Sequence, residues 1–344
     1  MKRSLPPSTP LVALLSLGVL LSVAAPGCKP APPQGQGAVS ASPATSASGG
    51  ALVVTERTAA PPEGSCGGLG CKTYPSAAAA LEAILAAEKP LVIAIGEAHA
   101  QRGAKADSST KRFTDELLAV VQGKASDLVV EAMLPPAGCK PQVEQVREKQ
   151  KAATAPQAQT NQNEYVVLGN EARKRGIVPD LLRPSCEDLD GIEKAGDAAI
   201  DASLKTIARL TVQQVDKLLA RNEKLGQDRA VIAYGGALHN DLAPGPGKED
   251  WSYAKKLMER SKGRYVEIDL FVPDFVRDDE TWRKFEWRAH YDPTQNLDRA
   301  VVFKPRDHGY VVILPKKEPS TPAASSAPPA PSAAPSARSA APKP

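Results

Sequence analysis

The sequence lacks the short motifs that identify several common classes of enzyme and binding protein. It has no Gly-x-Ser-x-Gly motif, which disfavours serine-hydrolase chemistry, and no glycine-rich P-loop that would bind a phosphate. It also has no paired Cys-x-x-Cys motifs, which argues against a zinc site with four thiolate ligands. The net charge is only +4 and no block of basic residues stands out, so we predict no binding to nucleic acid.

The apolar run near the N-terminus is too short to be a convincing membrane span. It covers residues 11–24, follows two basic residues, and has the form of a secretion signal. The Ala-Pro-Gly-Cys28 segment after it resembles a bacterial lipobox, although Ala25 stands where leucine is usual. We predict that residues 1–28 are a lipoprotein signal with Cys28 as the acylation site. The exported protein would then be anchored in the cell envelope, at the inner or outer membrane. The alternative is an ordinary cleaved signal in which Cys28 is incidental.

Two segments are rich in alanine, proline and serine and have too few large apolar residues to form a core. They cover residues 29–62 and 316–344, and we predict that they form a disordered tether and a disordered tail. Residues 63–315 remain, and this length suits a single domain.

Four cysteines follow Cys28, and an even number of cysteines in an exported protein favours disulfides. Pairing of Cys66 with Cys71 would close a small loop at the start of the domain. Pairing of Cys139 with Cys186 would join two loops near strand ends. The sequence does not fix this connectivity, and other pairings stay open.

Short apolar runs alternate with helical patterns through the domain. The runs at residues 91–95, 128–130 and 230–234 have the character of strands buried on both faces of a sheet. A strand at residues 264–271 and a hairpin formed by 301–303 and 310–314 come later. We therefore predict an α/β fold with a largely parallel central sheet flanked by helices, and with antiparallel strands near the C-terminal end.

The helical patterns predict helices over residues 76–88, 109–123 and 197–209, and a further helix that starts with Thr211 as its N-cap. Residues 143–163 are polar, and their structure stays open. Eleven of the fifteen aromatic residues lie between Trp251 and Tyr310. We interpret this concentration as core packing rather than as a wall beside a site, because aromatic side chains mostly serve burial.

Histidine and glutamate follow the predicted buried strands at the points where those strands end. Glu97 and His99 come directly after the first strand, Glu131 ends the next, and His239 follows a later one. Both histidines occupy a Gly-x-x-His pattern. Because the carboxyl ends of parallel strands meet at one edge of a sheet, we expect these side chains to form one site. An imidazole beside a carboxylate can act as a base, and the same residue types can bind a divalent metal, so two chemistries stay open.

The ordered set of motifs resembles a superfamily that joins erythromycin esterases, Tiki metalloproteases, TraB proteins and ChaN-type haem-binding lipoproteins. The resemblance covers residues 91–241, which is most of the domain. It departs from the family at Lys224-Leu225, where Met-Ala is usual. The matching motifs are Gly96-Glu97-Ala98-His99, Glu131, Arg221-Asn222 and Gly236-Ala237-Leu238-His239.

The resemblance implies different activities in different branches: hydrolysis of a lactone by histidine, glutamate and water, metal-dependent cleavage of peptides, or haem binding. Our first hypothesis is a hydrolase of a small-molecule or peptide substrate. In it, Glu131 or Glu97 orients His99 to activate water, while His239 and Arg221 stabilise charge on the substrate oxygen. The second hypothesis is a lipoprotein that binds haem through His99 or His239, or a divalent metal through these histidines and the two glutamates, without catalysis. The third is a degenerate member that only binds other proteins.

Overall fold

The computed structural model of the chain describes residues 64–317. The signal with Cys28 and the tether predicted for residues 29–62 lie outside the described residues, and so does the predicted tail from residue 318 onward. None of the helices between residues 64 and 317 is long and apolar enough to cross a membrane.

Strands and helices alternate along the described chain. The strands are β1 (Lys72–Tyr74), β2 (Val92–Glu97), β3 (Ala125–Met133), β4 (Val178–Leu182), β5 (Ala230–Gly236), β6 (Tyr265–Phe271), β7 (Ala300–Arg306) and β8 (Gly309–Ile313). The α-helices are α1 (Ala77–Glu88), α2 (Ser109–Arg112), α3 (Lys140–Thr154), α4 (Asn161–Lys174), α5 (Cys186–Lys194), α6 (Ala199–Lys224), α7 (Ala254–Arg260) and α8 (Glu280–Arg283).

The strands form one sheet in the order β1-β7-β8-β6-β2-β5-β3-β4. The six strands from β8 to β4 are parallel, whereas β7 pairs antiparallel with both β1 and β8. The predicted α/β fold is therefore confirmed, including the antiparallel hairpin near the C-terminus. Strands β2 and β5 lie at the centre of the sheet, which explains why they are apolar at nearly every position.

The two faces of the sheet carry different helices. Ile95 and Tyr234 point to the face covered by α1 and α4, where the larger core lies. Ala94 and Ala233 point to the opposite face, where they pack beneath α6 and α7. Since side chains alternate along a strand, the residues at the ends of β2 and β5 also divide between the two faces.

The structure corrects the helix boundary predicted at Thr211. Helix α6 continues through this position without a break, and the Thr211 hydroxyl donates to the carbonyl oxygen of Ile207 at 2.9 Å. The continuous apolar stripe of α6 outweighs the local capping pattern, because Thr211 itself is buried against the sheet. The predicted helix over 109–123 is also shorter than expected, since α2 passes into one turn of π-helix at Phe113–Leu117.

Both expected disulfides are present. Cys66 is bonded to Cys71, and Cys139 is bonded to Cys186, the first residue of α5. The C-terminal aromatic residues pack on one another as predicted for a core cluster, which contains Phe271, Trp282, Trp287, Tyr291 and Phe303.

Candidate functional site

The structure brings four of the predicted site residues to the carboxyl edge of the sheet. Glu97 ends β2 and His99 follows it, Glu131 lies near the end of β3, and His239 follows β5. All four side chains are buried. A Cβ added to Gly236 would lie 3.3 Å from His99 Nε2 and 3.5 Å from Glu131 Oε2, so both groups border the same small space beside this glycine.

Glu97 is an acceptor for four donors. Its carboxylate oxygens accept from the hydroxyls of Thr110 at 2.6 Å, Tyr234 at 2.8 Å and Tyr165 at 3.0 Å. Burial raises the pKa of both tyrosines well above its usual value, and the negative charge of Glu97 raises it further. Both phenols therefore keep their protons. The fourth contact is with His99 Nδ1, at 2.8 Å.

This arrangement determines which nitrogen of His99 is free. A carboxylate already surrounded by hydroxyl donors accepts a hydrogen from Nδ1, so the neutral ring has its lone pair on Nε2. Nε2 is buried and has no hydrogen-bond partner in the described part of the chain. Burial alone lowers the pKa of His99, but the hydrogen bond to Glu97 and the charges of Glu97 and Glu131 outweigh it, and the net shift is upward.

Glu131 presents one bound and one free oxygen. Oε2 accepts from the backbone N–H of Gly236 at 2.6 Å, while Oε1 is buried without a hydrogen-bond partner among residues 64–317. The side chain lies across Gly235, where a Cβ would stand only 2.7 Å from the Cβ of Glu131. Gly235 must therefore be small for Glu131 to reach this position.

His239 is held against the same carboxylate. Its Nδ1 lies 2.7 Å from the carbonyl oxygen of Trp251, and since a carbonyl only accepts, Nδ1 carries the hydrogen. Its Nε2 faces Glu131 Oε1 at 3.5 Å, which is longer than a direct hydrogen bond. His239 thus lines the side of Glu131, not the space beside Gly236.

Several residues of the site were not found by sequence reasoning. Tyr165 and Tyr234 carried no motif, and Thr110 stands in a run of hydroxyl residues, Ser108-Ser109-Thr110, that is typical of a helix N-cap. Ser108 does form that cap, but Thr110 turns inward to Glu97. One signal was usable: Thr110 lies on the first turn of a helix that follows the Gly-x-x-His segment.

Two carboxylates of β6 were missed as well. The sequence predicts a strand at residues 264–271 without marking its acidic residues, and in the structure Glu267 and Asp269 occupy alternate positions of β6 in the middle of the sheet. The Asn240 side chain donates to Asp269 Oδ1 at 2.9 Å, and both lie over Gly96, since a Cβ on that glycine would stand 2.6 Å from Asn240 Oδ1.

The structure does not bring Arg221 to this site. Its guanidinium pairs with Asp127, four residues before Glu131 on β3, and also donates to the side chain of Asn222 at 2.9 Å. Strand residues rise about 3.3 Å each, which separates this pair from the carboxyl edge by several residue lengths. The expected contact of Arg221 with a substrate oxygen is therefore corrected to an ion pair at the opposite end of the strand.

Divalent metals and haem, which the resemblance implies, do not fit the arrangement of these side chains. Within residues 64–317, no three His, Cys, Asp or Glu side chains are placed so that one metal ion could contact them all. His99 and His239 are 5% and 2% exposed, and neither ring has an open side against which a porphyrin could lie. The chemistry of the site is therefore derived from the side chains themselves.

No protein-family profile, curated protein or solved structure was found to match the chain. The resemblance to the esterase, Tiki and ChaN superfamily therefore stays a prediction that rests on the four motifs.

Proposed function

We propose that the protein is a hydrolase in which His99 is the general base that activates water. The observation that carries this proposal is the pair of unpartnered buried acceptors, His99 Nε2 and Glu131 Oε1. A buried acceptor without a donor costs about 1–3 kcal/mol, so a chain that keeps two of them on neighbouring side chains is expected to use them.

Water suits these two acceptors. Both atoms need a donor, and a water molecule has two hydrogens to give. A water that donates to Nε2 and to the Glu131 carboxylate would be fixed beside Gly236 with its oxygen lone pairs directed to the remaining space. Gly236 has no side chain to fill the position beside His99, where a Cβ would lie 3.3 Å from His99 Nε2.

Each side chain has a defined task in the reaction. The water oxygen attacks the carbonyl carbon while His99 Nε2 takes one of its protons, and the imidazolium that forms is stabilised by Glu97 through Nδ1–H. Tyr165, Tyr234 and Thr110 hold the Glu97 carboxylate in place. Glu131 orients the water, and its own position is set by the Gly236 N–H.

The test is turnover by variants of the base and of the water-orienting carboxylate. Purified protein would be assayed on p-nitrophenyl acetate, an unsubstituted lactone and a peptide mixture. We expect His99→Gln and Glu131→Gln to lower kcat by about 10²-fold or more on whichever substrate the wild type cleaves. His290→Gln is the matched control, because His290 is exposed and lies outside the site.

Full turnover by His99→Gln, with a folded protein by circular dichroism, would refute the proposal. The same samples would be assayed after dialysis against a chelator. Loss of turnover that added Zn²⁺ restores would assign the activation of water to a metal instead of to His99 alone.

We further propose that this hydrolase acts in the cell envelope. The signal-like segment and Cys28 support export and lipid anchoring. The change Cys28→Ser should move the protein from the membrane fraction to the soluble fraction. Retention in the membrane fraction would argue against Cys28 as the anchor.

A further inference from the structure

We propose that Asp269 is the catalytic acid of the same site, the carboxyl group that delivers a proton to the leaving group of the substrate. This inference rests on the proposed hydrolase function. It also defines the substrate class, because among carbonyl substrates the esters of ordinary alcohols and the amides have leaving groups that need such a proton.

The placement of Asp269 follows from the register of the sheet. Gly96 of β2 pairs with Gly235 of β5 on one side and with Asp269 of β6 on the other. Glu131 lies beyond Gly235, one residue past the last paired position of β3. These four residues form one row across four strands, and side chains in one row of a parallel sheet point to the same face.

The two glycines form the floor of this row. Glu131 leans over Gly235 from one side, and Asp269 leans over Gly96 from the other, so that a Cβ on either glycine would overlap the neighbouring carboxylate. Adjacent strands lie about 4.8 Å apart, so the Glu131 and Asp269 carboxylates lean toward each other over two neighbouring glycines. This arrangement places Glu131, which orients the water, at one end of the row and Asp269, the proposed acid, at the other.

Asn240 supplies a second and independent sign of a ligand. Its side-chain nitrogen donates to Asp269 Oδ1 at 2.9 Å, which holds the carboxyl over Gly96. Its own Oδ1 is fully buried, lies over Gly96 and has no hydrogen-bond partner within the described residues. An acceptor in this position needs a donor, and the hydroxyl or amine of a substrate leaving group can supply one once it is protonated.

The surroundings of Asp269 favour the protonated form of its carboxyl. Burial raises its pKa well above the usual value, and the negative charges of Glu267 and Asp241 raise it further. The hydrogen bond from Asn240 and the charge of Arg306 act in the opposite direction without cancelling this shift. A carboxyl with a raised pKa keeps its proton to higher pH than a solvated carboxyl, which is the direction that an acid role requires.

The neighbouring groups are consistent with a retained proton. The pKa of Glu267 is raised to about 7, first by burial and then by Asp241. The pKa values of Tyr253 and Tyr265 are also raised, chiefly by burial, and the negative charge of an ionised Asp269 raises them further. These two phenols stay neutral and do not draw the proton away from Asp269. Asp269 as a residue is only partly buried, whereas Glu131 is buried.

The reaction balances with water as the only co-reactant. Water adds its oxygen to the carbonyl carbon and gives one proton to His99 Nε2. The bond between the carbonyl carbon and the leaving oxygen then breaks, and the electron pair of that bond stays on the leaving oxygen. That oxygen takes the proton of Asp269 and departs as an alcohol. The proton on His99 returns through solvent to Asp269, which restores both groups.

The test compares two esters of the same acid, one with p-nitrophenol and one with ethanol as the leaving group. p-Nitrophenolate leaves without a proton, whereas ethoxide needs one. We expect Asp269→Asn to lower kcat on the ethyl ester by about 10²-fold and on the p-nitrophenyl ester by only a few-fold. The His99→Gln change should lower both rates together, since both esters need activated water.

Each outcome decides between the proposals. Equal losses on the two esters in Asp269→Asn, or no loss on either, would overturn the role of Asp269 while His99 keeps its own. Absence of turnover by the wild type on both esters, on the lactone and on the peptide mixture would overturn the hydrolase function and the acid role with it.

Two further measurements separate a catalytic acid from a merely structural carboxyl. The change Glu267→Gln removes a negative charge that raises the pKa of Asp269, so the alkaline limb of the ethyl-ester rate profile should move to lower pH. A limb that does not move contradicts the role. Infrared difference spectra of the protein with Glu267 unchanged, recorded on the acidic side of the alkaline limb, should show a neutral carboxylic acid band that disappears in Asp269→Asn. Absence of that band would also overturn the assignment, without any need for activity.

Discussion

Nδ1 of His99 lies 2.8 Å from Oε1 of Glu97, and this one hydrogen bond determines what the imidazole can do. It commits the proton of the neutral ring to Nδ1 and leaves Nε2 as the basic nitrogen. Because the Glu97 carboxylate is itself held by three hydroxyl donors, the ring cannot change tautomer without breaking a network of buried contacts. The candidate site is therefore prepared for proton transfer before a substrate arrives.

The change Glu97→Gln should reduce activity and shift its pH dependence. His99 must be unprotonated to act as a base, so the rate rises with pH through the pKa of His99. Glu97 raises that pKa, and its loss should move the acidic limb of the kcat profile to lower pH and lower the plateau by about 10²-fold. Glu148→Gln is the control, because Glu148 is 70% exposed on α3. An unchanged acidic limb would contradict the assignment of the base.

The change Gly236→Ala tests whether the space beside Gly236 is used. The added methyl would lie 3.3 Å from His99 Nε2 and would occupy the position proposed for the water. We expect kcat to fall by about 10²-fold while the melting temperature changes little, since the backbone of Gly236 is not in the left-handed region. Gly245→Ala is the matched control, because a Cβ there meets nothing within 4 Å. Equal activity of the two variants would count against a reacting water at this place.

The change Gly96→Ala should act on stability. A Cβ on Gly96 would stand 2.6 Å from Asn240 Oδ1 and would overlap Asp269, and both are anchored in the core. Overpacking of this kind costs about 1–3 kcal/mol. Urea unfolding should show the loss relative to Gly245→Ala. A stability equal to that of the wild type would mean that Asn240 and Asp269 are not fixed over Gly96.

The change Arg221→Ala should lower stability and leave kcat unaffected. It removes the partner of Asp127, which is only 1% exposed at the far end of β3. We expect a loss of about 1–3 kcal/mol in the free energy of unfolding, less than for a fully buried pair because Arg221 is 43% exposed. Arg209→Ala, on the same helix and 42% exposed, is the control and should cost less. A large loss of kcat with unchanged stability would restore Arg221 to the reaction.

The sheet was predictable because its central strands are short apolar runs that end in glycine. Residues 91–95 and 230–234 could hardly be anything but buried strands, and they pair side by side as β2 and β5. The break at Thr211 was wrong because a capping pattern is local, whereas the apolar stripe that holds α6 on the sheet extends on both sides of it. Local signals lose to tertiary burial at such positions.

The site was predictable only where a residue stood in a motif. Glu97, His99, Glu131 and His239 follow strands, and strand ends meet by the geometry of a parallel sheet. Tyr165 lies on α4 outside every motif, and its contact with Glu97 spans 68 residues of chain. Asp269 was hidden by its place inside a strand, where its role depends on a glycine of the neighbouring strand. No spacing along the chain encodes a relationship of that kind.

The most direct test of the central claim is the protonation pattern of His99, which requires no knowledge of the substrate. The chain has only four histidines, so ¹⁵N-histidine labelling with the His99→Gln variant for assignment gives resolved ring signals. We predict that neutral His99 carries its hydrogen on Nδ1 and has an unprotonated Nε2, and that Glu97→Gln abolishes the preference for this tautomer. A neutral His99 with its hydrogen on Nε2 would contradict the role of His99 as general base, because the ring would then present no base to the site.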